Sequence, residues 1–296
     1  MNKIGYIFIL VCLCIGCEDV IEVELPATEP RLIVEALMRV DITEEFIPIE
    51  VKVTETDNFF GEVPVTSLER IIIVITLTDS LGVESSGISA LAESEPGTGV
   101  YIPDPNFSSD QRIPTSAVAF DLRYDLIIEH KGRKYIAQTK YVPSTPITNL
   151  SIGPGRSSNN DETELIIGFK DNAEVDNFYV FDFDFGKYLV SDDEFYQGQQ
   201  FEFSYFHDQI YESGTKLSVS ILGADKTFYN YMDQLIEQTD DSQGPFQIPK
   251  GTVRGNLFDI TELDNIDVFD NTGEPNVFPL GYFAIVQEFK RQIVIQ

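Results

Sequence analysis

Cysteine is confined to the first seventeen residues, at Cys12, Cys14 and Cys17. The rest of the chain therefore forms no internal disulfide, no thiolate zinc site and no cysteine nucleophile. Tryptophan is absent, and 22 Phe and 13 Tyr carry the aromatic load. The two histidines, His130 and His207, lack the spacing of a zinc site. Cationic residues are few: 20 Lys and Arg against 49 Asp and Glu leave a formal net charge of −29. A field of that sign repels nucleic-acid phosphates and excludes nucleic acid as a partner. There is no Gly-x-Ser-x-Gly elbow and no phosphate-cradling loop. Asp184-Phe185-Gly186 copies three letters of a kinase signature, but no glycine-rich nucleotide loop or catalytic-loop motif accompanies it. No apolar run reaches the roughly 20 residues that span a bilayer.

What the chain does have begins at its start. Lys3 precedes an apolar run, Ile4 to Ile15, broken by Gly5. That length suits the hydrophobic region of a secretory signal. The run ends in Cys14-Ile15-Gly16-Cys17, followed by Glu18-Asp19. A small residue before a cysteine at this point resembles a bacterial lipobox. Residues 1–16 then form a lipoprotein signal peptide, and Cys17 carries an N-terminal lipid that attaches the chain to a membrane.

The body is rich enough to fold. Hydrophobic residues make up 43% and aromatics 12%, so burial of apolar surface supplies the stability. Residues 17–30 read as an acidic tether with Pro26 and Pro30. Strand signals begin at Leu32, Val34, Ala36 and Met38, which alternate with period two. Ile47, Ile49, Val51 and Val53 do the same. Ile71 to Leu77 is a continuous β-branched run suited to a central strand. Val118 to Ile128 alternates over eleven positions and predicts one long strand. His130-Lys131-Gly132-Arg133 reads as a hairpin loop with a solvated His130. This spacing predicts an immunoglobulin-like β-sandwich over 31–144.

Pro143-Ser144-Thr145-Pro146 marks a boundary, and 145–296 reads as a second β-rich domain. Phe181, Phe183 and Phe185 share one face of a strand there, with Asp182 and Asp184 on the other. One helix is predicted at about 225–239. Asp225 caps it, and Phe228, Tyr231, Met232, Leu235 and Ile236 form an apolar stripe at helical spacing. Gly281 to Val286 and Gln292 to Ile295 are the final strands.

Carboxylates cluster at Asp192-Asp193-Glu194, at Asp240-Asp241 and along Asp259 to Asp270. Asp259, Asp264, Asp267 and Asp270 could hold calcium, which takes oxygen ligands from flexible loops. They do not match the helix–loop–helix calcium pattern. No set of residues assembles a catalytic site, and no cofactor beyond the lipid is implied.

Several stretches carry a family resemblance. They are Ile21-Glu22-Val23-Glu24-Leu25-Pro26 after Cys17, Arg31-Leu32-Ile33-Val34-Glu35-Ala36, Pro96-Gly97-Thr98-Gly99-Val100-Tyr101 and Lys134-Tyr135-Ile136-Ala137. The most specific come late: Tyr229-x-Tyr231, Gly244-Pro245-Phe246-x-x-Pro249, Arg254-Gly255-Asn256-Leu257 and Leu280-Gly281-Tyr282-Phe283. Together they resemble the domain-of-unknown-function 4249 family across nearly the whole mature chain. Lys250-Gly251-Thr252-Val253 and the long segment Leu257 to Pro279 depart from its pattern. The resemblance implies a Bacteroidetes-type outer-membrane lipoprotein at the cell surface, often encoded beside a TonB-dependent receptor of the SusC/RagA type. It implies no catalytic residues. The expected role is a non-enzymatic accessory or ligand-capturing partner of such a receptor, with a contact face around Phe246 to Phe258. A surface protein that binds or hydrolyses glycan or peptide through acidic loop residues is the alternative, and a structural adhesin or envelope-assembly component is the third reading.

The anchor is testable alone. Each buried methylene contributes about 0.8 kcal/mol, and stable anchoring takes more than one acyl chain. Cys17→Ala should release the protein from the membrane fraction or leave it unprocessed, and mass spectrometry of the wild-type N-terminal peptide should find lipid on Cys17.

Overall fold

A computed structural model describes residues 30–56, 64–155, 162–239, 252–263 and 278–295. These residues are mainly β, with a sandwich-like first unit and a second β-rich unit that carries one amphipathic helix. The first unit is built from β1 (Leu32–Val40), β2 (Val51–Glu55), β3 (Arg70–Thr78), β4 (Glu84–Glu93), β5 (Val100–Pro103), β6 (Leu122–His130) and β7 (Arg133–Val142). The Pro143–Pro146 stretch joins it to β8 (Ile147–Ile152), β9 (Thr163–Lys170), β10 (Phe178–Asp182), β11 (Tyr188–Asp192), β12 (Gln200–His207) and β13 (Lys216–Ala224). Helix α1 (Lys226–Thr239), β14 (Leu257–Asp259) and β15 (Leu280–Val294) complete the chain.

Period-two patterning explains the first layer. Leu32, Val34, Ala36 and Met38 of β1 all point into one core, because alternate residues of a strand face the same way. The order β15-β1-β2-β5 makes one layer and β4-β3-β6-β7-β14 the other. Two strands serve both layers. The Glu84–Ala90 part of β4 pairs with β3, and Leu91–Glu93 pair with β5. The Arg133–Lys140 part of β7 pairs with β6, while Tyr141 and Val142 pair with β15. The sandwich is thereby closed at both edges, which removes the exposed ladder of an edge strand.

In the second unit the layer β11-β10-β13-β15 faces β12-β9-β8. The rings meet between them. Phe169 lies edge-on to Tyr179 at 5.4 Å between centroids, and Phe181 edge-on to Phe203 at 5.0 Å, an arrangement the ring quadrupoles favour. Helix α1 covers the opposite face. The Asp225 carboxylate accepts the Phe228 N–H at 2.7 Å, satisfying an orphan donor of the first turn. Phe228 and Met232 are buried against Val180, Leu222, Tyr282 and Val286.

β15 ties these layers together. It runs parallel to β1 from Leu280 to Gln287, then antiparallel to β13 from Glu288 to Val294. The sequence pattern suggests two strands here, Gly281 to Val286 and Gln292 to Ile295, because Gln287-Glu288 and Lys290-Arg291 interrupt the apolar run. The structure shows one, since those polar groups are satisfied where the units meet. Gln287 accepts the Ser144 N–H at 2.9 Å, and Glu288 takes Arg39 at 2.7 Å and the Ser220 hydroxyl at 2.6 Å. Arg39 also reaches Asp182 at 2.6 Å. The second departure is at Val118. Thr115–Ala119 form a 3-10 turn, whose Ala117 carbonyl accepts the Phe120 N–H at 3.1 Å, and the strand starts only at Leu122. Ile47 and Ile49 are buried as their alternation implies but precede the ladder that begins at Val51.

The first sandwich is incomplete without β15, which fills the gap between β1 and β7. A fragment ending at Pro146 should therefore give a collapsed amide spectrum, although seven of its strands are present. A dispersed spectrum from residues 18–146 alone would show that β1 and β7 can close without it.

Candidate functional site

Cys17, Phe246, Asp264, Asp267 and Asp270 lie outside the described residues. Asp259 and Phe258 lie within them, on β14. One Asp259 oxygen meets the Arg133 guanidinium at 2.8 Å, and the other accepts the Thr261 N–H at 2.9 Å and its hydroxyl at 2.5 Å. Asp259 thus stitches β14 to β7 and the turn that follows. Among the described residues no cluster of three potential ligands holds a metal, and no helix is long and apolar enough to cross a membrane. Phe258 is half-buried and sits opposite Ile136 of β7.

The late motifs converge in space. Asn256 fills the seam between β7 and β15: its amide donates to the Gln138 carbonyl at 3.1 Å and the Phe283 carbonyl at 2.8 Å, and accepts the Phe283 N–H at 2.9 Å. One buried side chain does there what a strand would do. Gly255 packs on the Gly281 carbonyl and Gly281, at φ +96°, on the Val34 carbonyl, so closely that a Cβ at either would clash with backbone. Tyr282 meets Phe228 at 5.1 Å and Tyr231 at 4.8 Å between ring centroids. Arg254 and Arg31 both lie over the Phe278 ring, at 4.1 and 4.6 Å. The letters of Arg254-Gly255-Asn256-Leu257 and Leu280-Gly281-Tyr282-Phe283 thus seal the entry end of the molecule, where the chain comes in at Arg31.

A charged cluster lies at that same end. His130, expected in solvent, is 5% exposed. It is the last residue of β6, and its inward-facing Nε2 meets the Glu55 carboxylate at 2.8 Å. Lys131, at φ +50°, opens the hairpin and reaches both Glu55 oxygens, at 2.7 and 2.9 Å. Burial pushes the Glu55 carboxyl up, but the hydrogen bonds from His130 and Lys131 outweigh it and hold the group below its ordinary value. Sequence spacing could not reveal this cluster, because Glu55 and His130 are 75 residues apart.

The second histidine lies at the opposite end of β15. His207 is 2% exposed. Burial pulls its imidazole below the ordinary range, against the opposing pull of Asp208. Its Nδ1 lies 3.2 Å from the Tyr211 hydroxyl, and its ring stands edge-on to Tyr205 and Tyr211. Phe185, expected on one strand face with Phe181 and Phe183, is instead at the surface. The strand ends at Asp182, and Phe185 sits in the turn beyond it.

A family model described as a domain of unknown function, DUF4249, matches residues 18–265. No curated protein matches the chain.

The Glu55 cluster makes stability depend on pH. Its folded-state carboxyl titrates below the unfolded one, so its contribution is present above about pH 4.3, the ordinary glutamate value, and is lost as pH falls through the lower folded value. Glu55→Gln should cost about 1–3 kcal/mol at neutral pH, by leaving His130 without its carboxylate. It should also flatten the acid limb of stability measured by urea titration between pH 3 and 7; an unchanged acid limb would assign that limb to other carboxylates.

Proposed function

The chain belongs to the DUF4249 family, whose model covers well over half of it, and from that premise we propose that it is a lipid-anchored outer-membrane protein serving as a non-enzymatic accessory partner of a TonB-dependent receptor. The Bacteroidetes-type surface location and the lipid on Cys17 are part of the same reading. The observation that carries it is where the chain enters. Arg31 is fixed at the start of β1 by Thr56, whose hydroxyl accepts the Arg31 N–H at 2.8 Å and whose N–H donates to the Arg31 carbonyl at 2.8 Å. Whatever the anchor holds, it holds by this end.

A receptor embedded in the same membrane meets this end first. Arg254 lies there over the buried Phe278 ring, and the half-buried Phe258 lies on β14, just after the motif that Arg254 opens. Aromatic and arginine side chains serve interfaces because they combine apolar area with a polar handle. The strong negative charge supports a partner that presents cationic surface, since complementary fields speed encounter.

The test is affinity capture from native membranes with the anchor intact. A TonB-dependent receptor should co-purify with the wild type, and substitution of both Phe246 and Phe258 by Ala should remove it while thermal stability changes by a few degrees. If the protein captures no receptor but turns over a glycan or peptide, the class of the assignment is wrong.

A further inference from the structure

The far end of β15 displays an exposed aromatic ring backed by others. A strand of 15 residues extends about 45 Å, so this tip is remote from Arg31. It is formed by the β10–β11 hairpin and the segment after β12. The hairpin closes through Lys187 N–H to the Asp184 carbonyl at 3.0 Å, with Phe185 and Gly186 as its central residues. Their φ values are +52° and +72°. Such a turn favours Asn-Gly. A phenylalanine in the left-handed region costs about 1–2 kcal/mol, because its Cβ crowds the following carbonyl. Asp184, at φ +69°, is also left-handed and is pinned by the Ser218 N–H at 2.7 Å. The fold therefore tolerates strain to present Phe185, which is 63% exposed.

The exposed ring does not hang free. It stacks on Tyr211 with centroids 5.6 Å apart and planes 22° from parallel. Tyr211 is oriented from below by His207, and His207 by Tyr205, which lies flat on Phe183 of the core at 3.7 Å. A continuous stack of rings thus runs from core to surface. At its rim Lys187 and Asp208 form an ion pair at 2.8 Å, both largely in water. Lys187 directly follows the Phe185–Gly186 turn and Asp208 directly follows His207, which places the pair beside the rings.

We propose that this tip is a shallow binding platform for a neutral glycan. The aromatic face carries negative charge density and suits the weakly positive C–H face of a sugar ring. The rim supplies a cationic donor and an anionic acceptor for hydroxyls at the ring's edge. Because the two are paired, the rim offers little net field to a charged ligand: a cation drawn to the rings meets Lys187, and an anion meets a protein of charge −29. A platform already rigid loses little entropy on binding. The site lies at the opposite end from the surface assigned to the receptor and does not rest on that assignment.

The experiment is calorimetric titration of the full, anchored protein in detergent with soluble gluco-, manno- and xylo-oligosaccharides, alongside the variants Phe185→Asn and Tyr211→Ala. At least one neutral oligosaccharide should bind, and each variant should weaken it about tenfold or more. Phe185→Asn relieves the strained turn, so its melting temperature should equal or exceed that of the wild type while binding is lost. A lowered melting temperature with binding intact would show that Phe185 serves folding, and would overturn the proposal. So would absence of binding across the panel, or self-association of the protein abolished by Phe185→Asn.

Discussion

Everything in this molecule leans on the hydrogen-bonded ladder of Leu280–Val294. Its side chains enter three cores: Phe283 and Ile285 the first sandwich, Tyr282, Ala284 and Val286 the layer beneath the helix, and Ile293 the ring-filled core of the second unit. A strand can do this because successive side chains face opposite ways and because its two halves have different neighbours. The requirements on it are correspondingly strict. Gly281 must be glycine where the strand crosses the Val34 carbonyl. Where it leaves one unit for the other, Arg39 bridges Asp182 and Glu288, and Gln287 accepts the Ser144 N–H beside them, so buried polar groups there find partners. The two halves thus share one continuous strand and one bridge of ion pairs.

That continuous strand gives the molecule a long axis with different chemistry at its ends. At the entry end Glu55 gathers His130 and Lys131, Asn256 bridges β7 to β15, and two arginines lie over Phe278. At the other end rings stack outward from Phe183 through Tyr205 and His207 to Tyr211 and Phe185. On the anchoring proposed above, the ring-bearing end faces away from the membrane. The acidic surface keeps the body soluble and disfavors adhesion to anionic neighbours. Many of the carboxylates are engaged locally, as with Asp110 on Arg112 and Asp79 on the turn to Val83. Among the described residues the carboxylates gather into no group of three or more that could hold a metal.

Much of the fold was legible in the sequence. The inward face of β1 follows from Leu32, Val34, Ala36 and Met38; α1 follows from its cap and stripe; the hairpins at Asp79–Gly82 and His130–Arg133 follow from their turn residues. The candidate sites were less so. The late family motifs were visible as letters, but their role in sealing a seam needs Asn256 to lie between Gln138 and Phe283, which are far apart in the chain. The alternation Phe181-Phe183-Phe185 put three rings on one strand face; the turn beyond Asp182 turned the third outward. The run at Val118 promised a longer strand than the local turn after Pro114 allows.

The sequence by itself determined the mainly β architecture, the capped helix that follows Asp225 and, by confining cysteine to the first seventeen residues, the lack of any internal disulfide in the rest of the chain. These depend on period and composition, both local or additive quantities. Only the tertiary structure decided that a C-terminal strand completes the N-terminal sandwich, that His130 is buried on Glu55, and that Phe185 stands at a tip on Tyr211. Those facts are pairings between residues remote in the chain. They are set by which partner satisfies a buried amide, carboxylate or ring face, and no pattern within one segment carries that information.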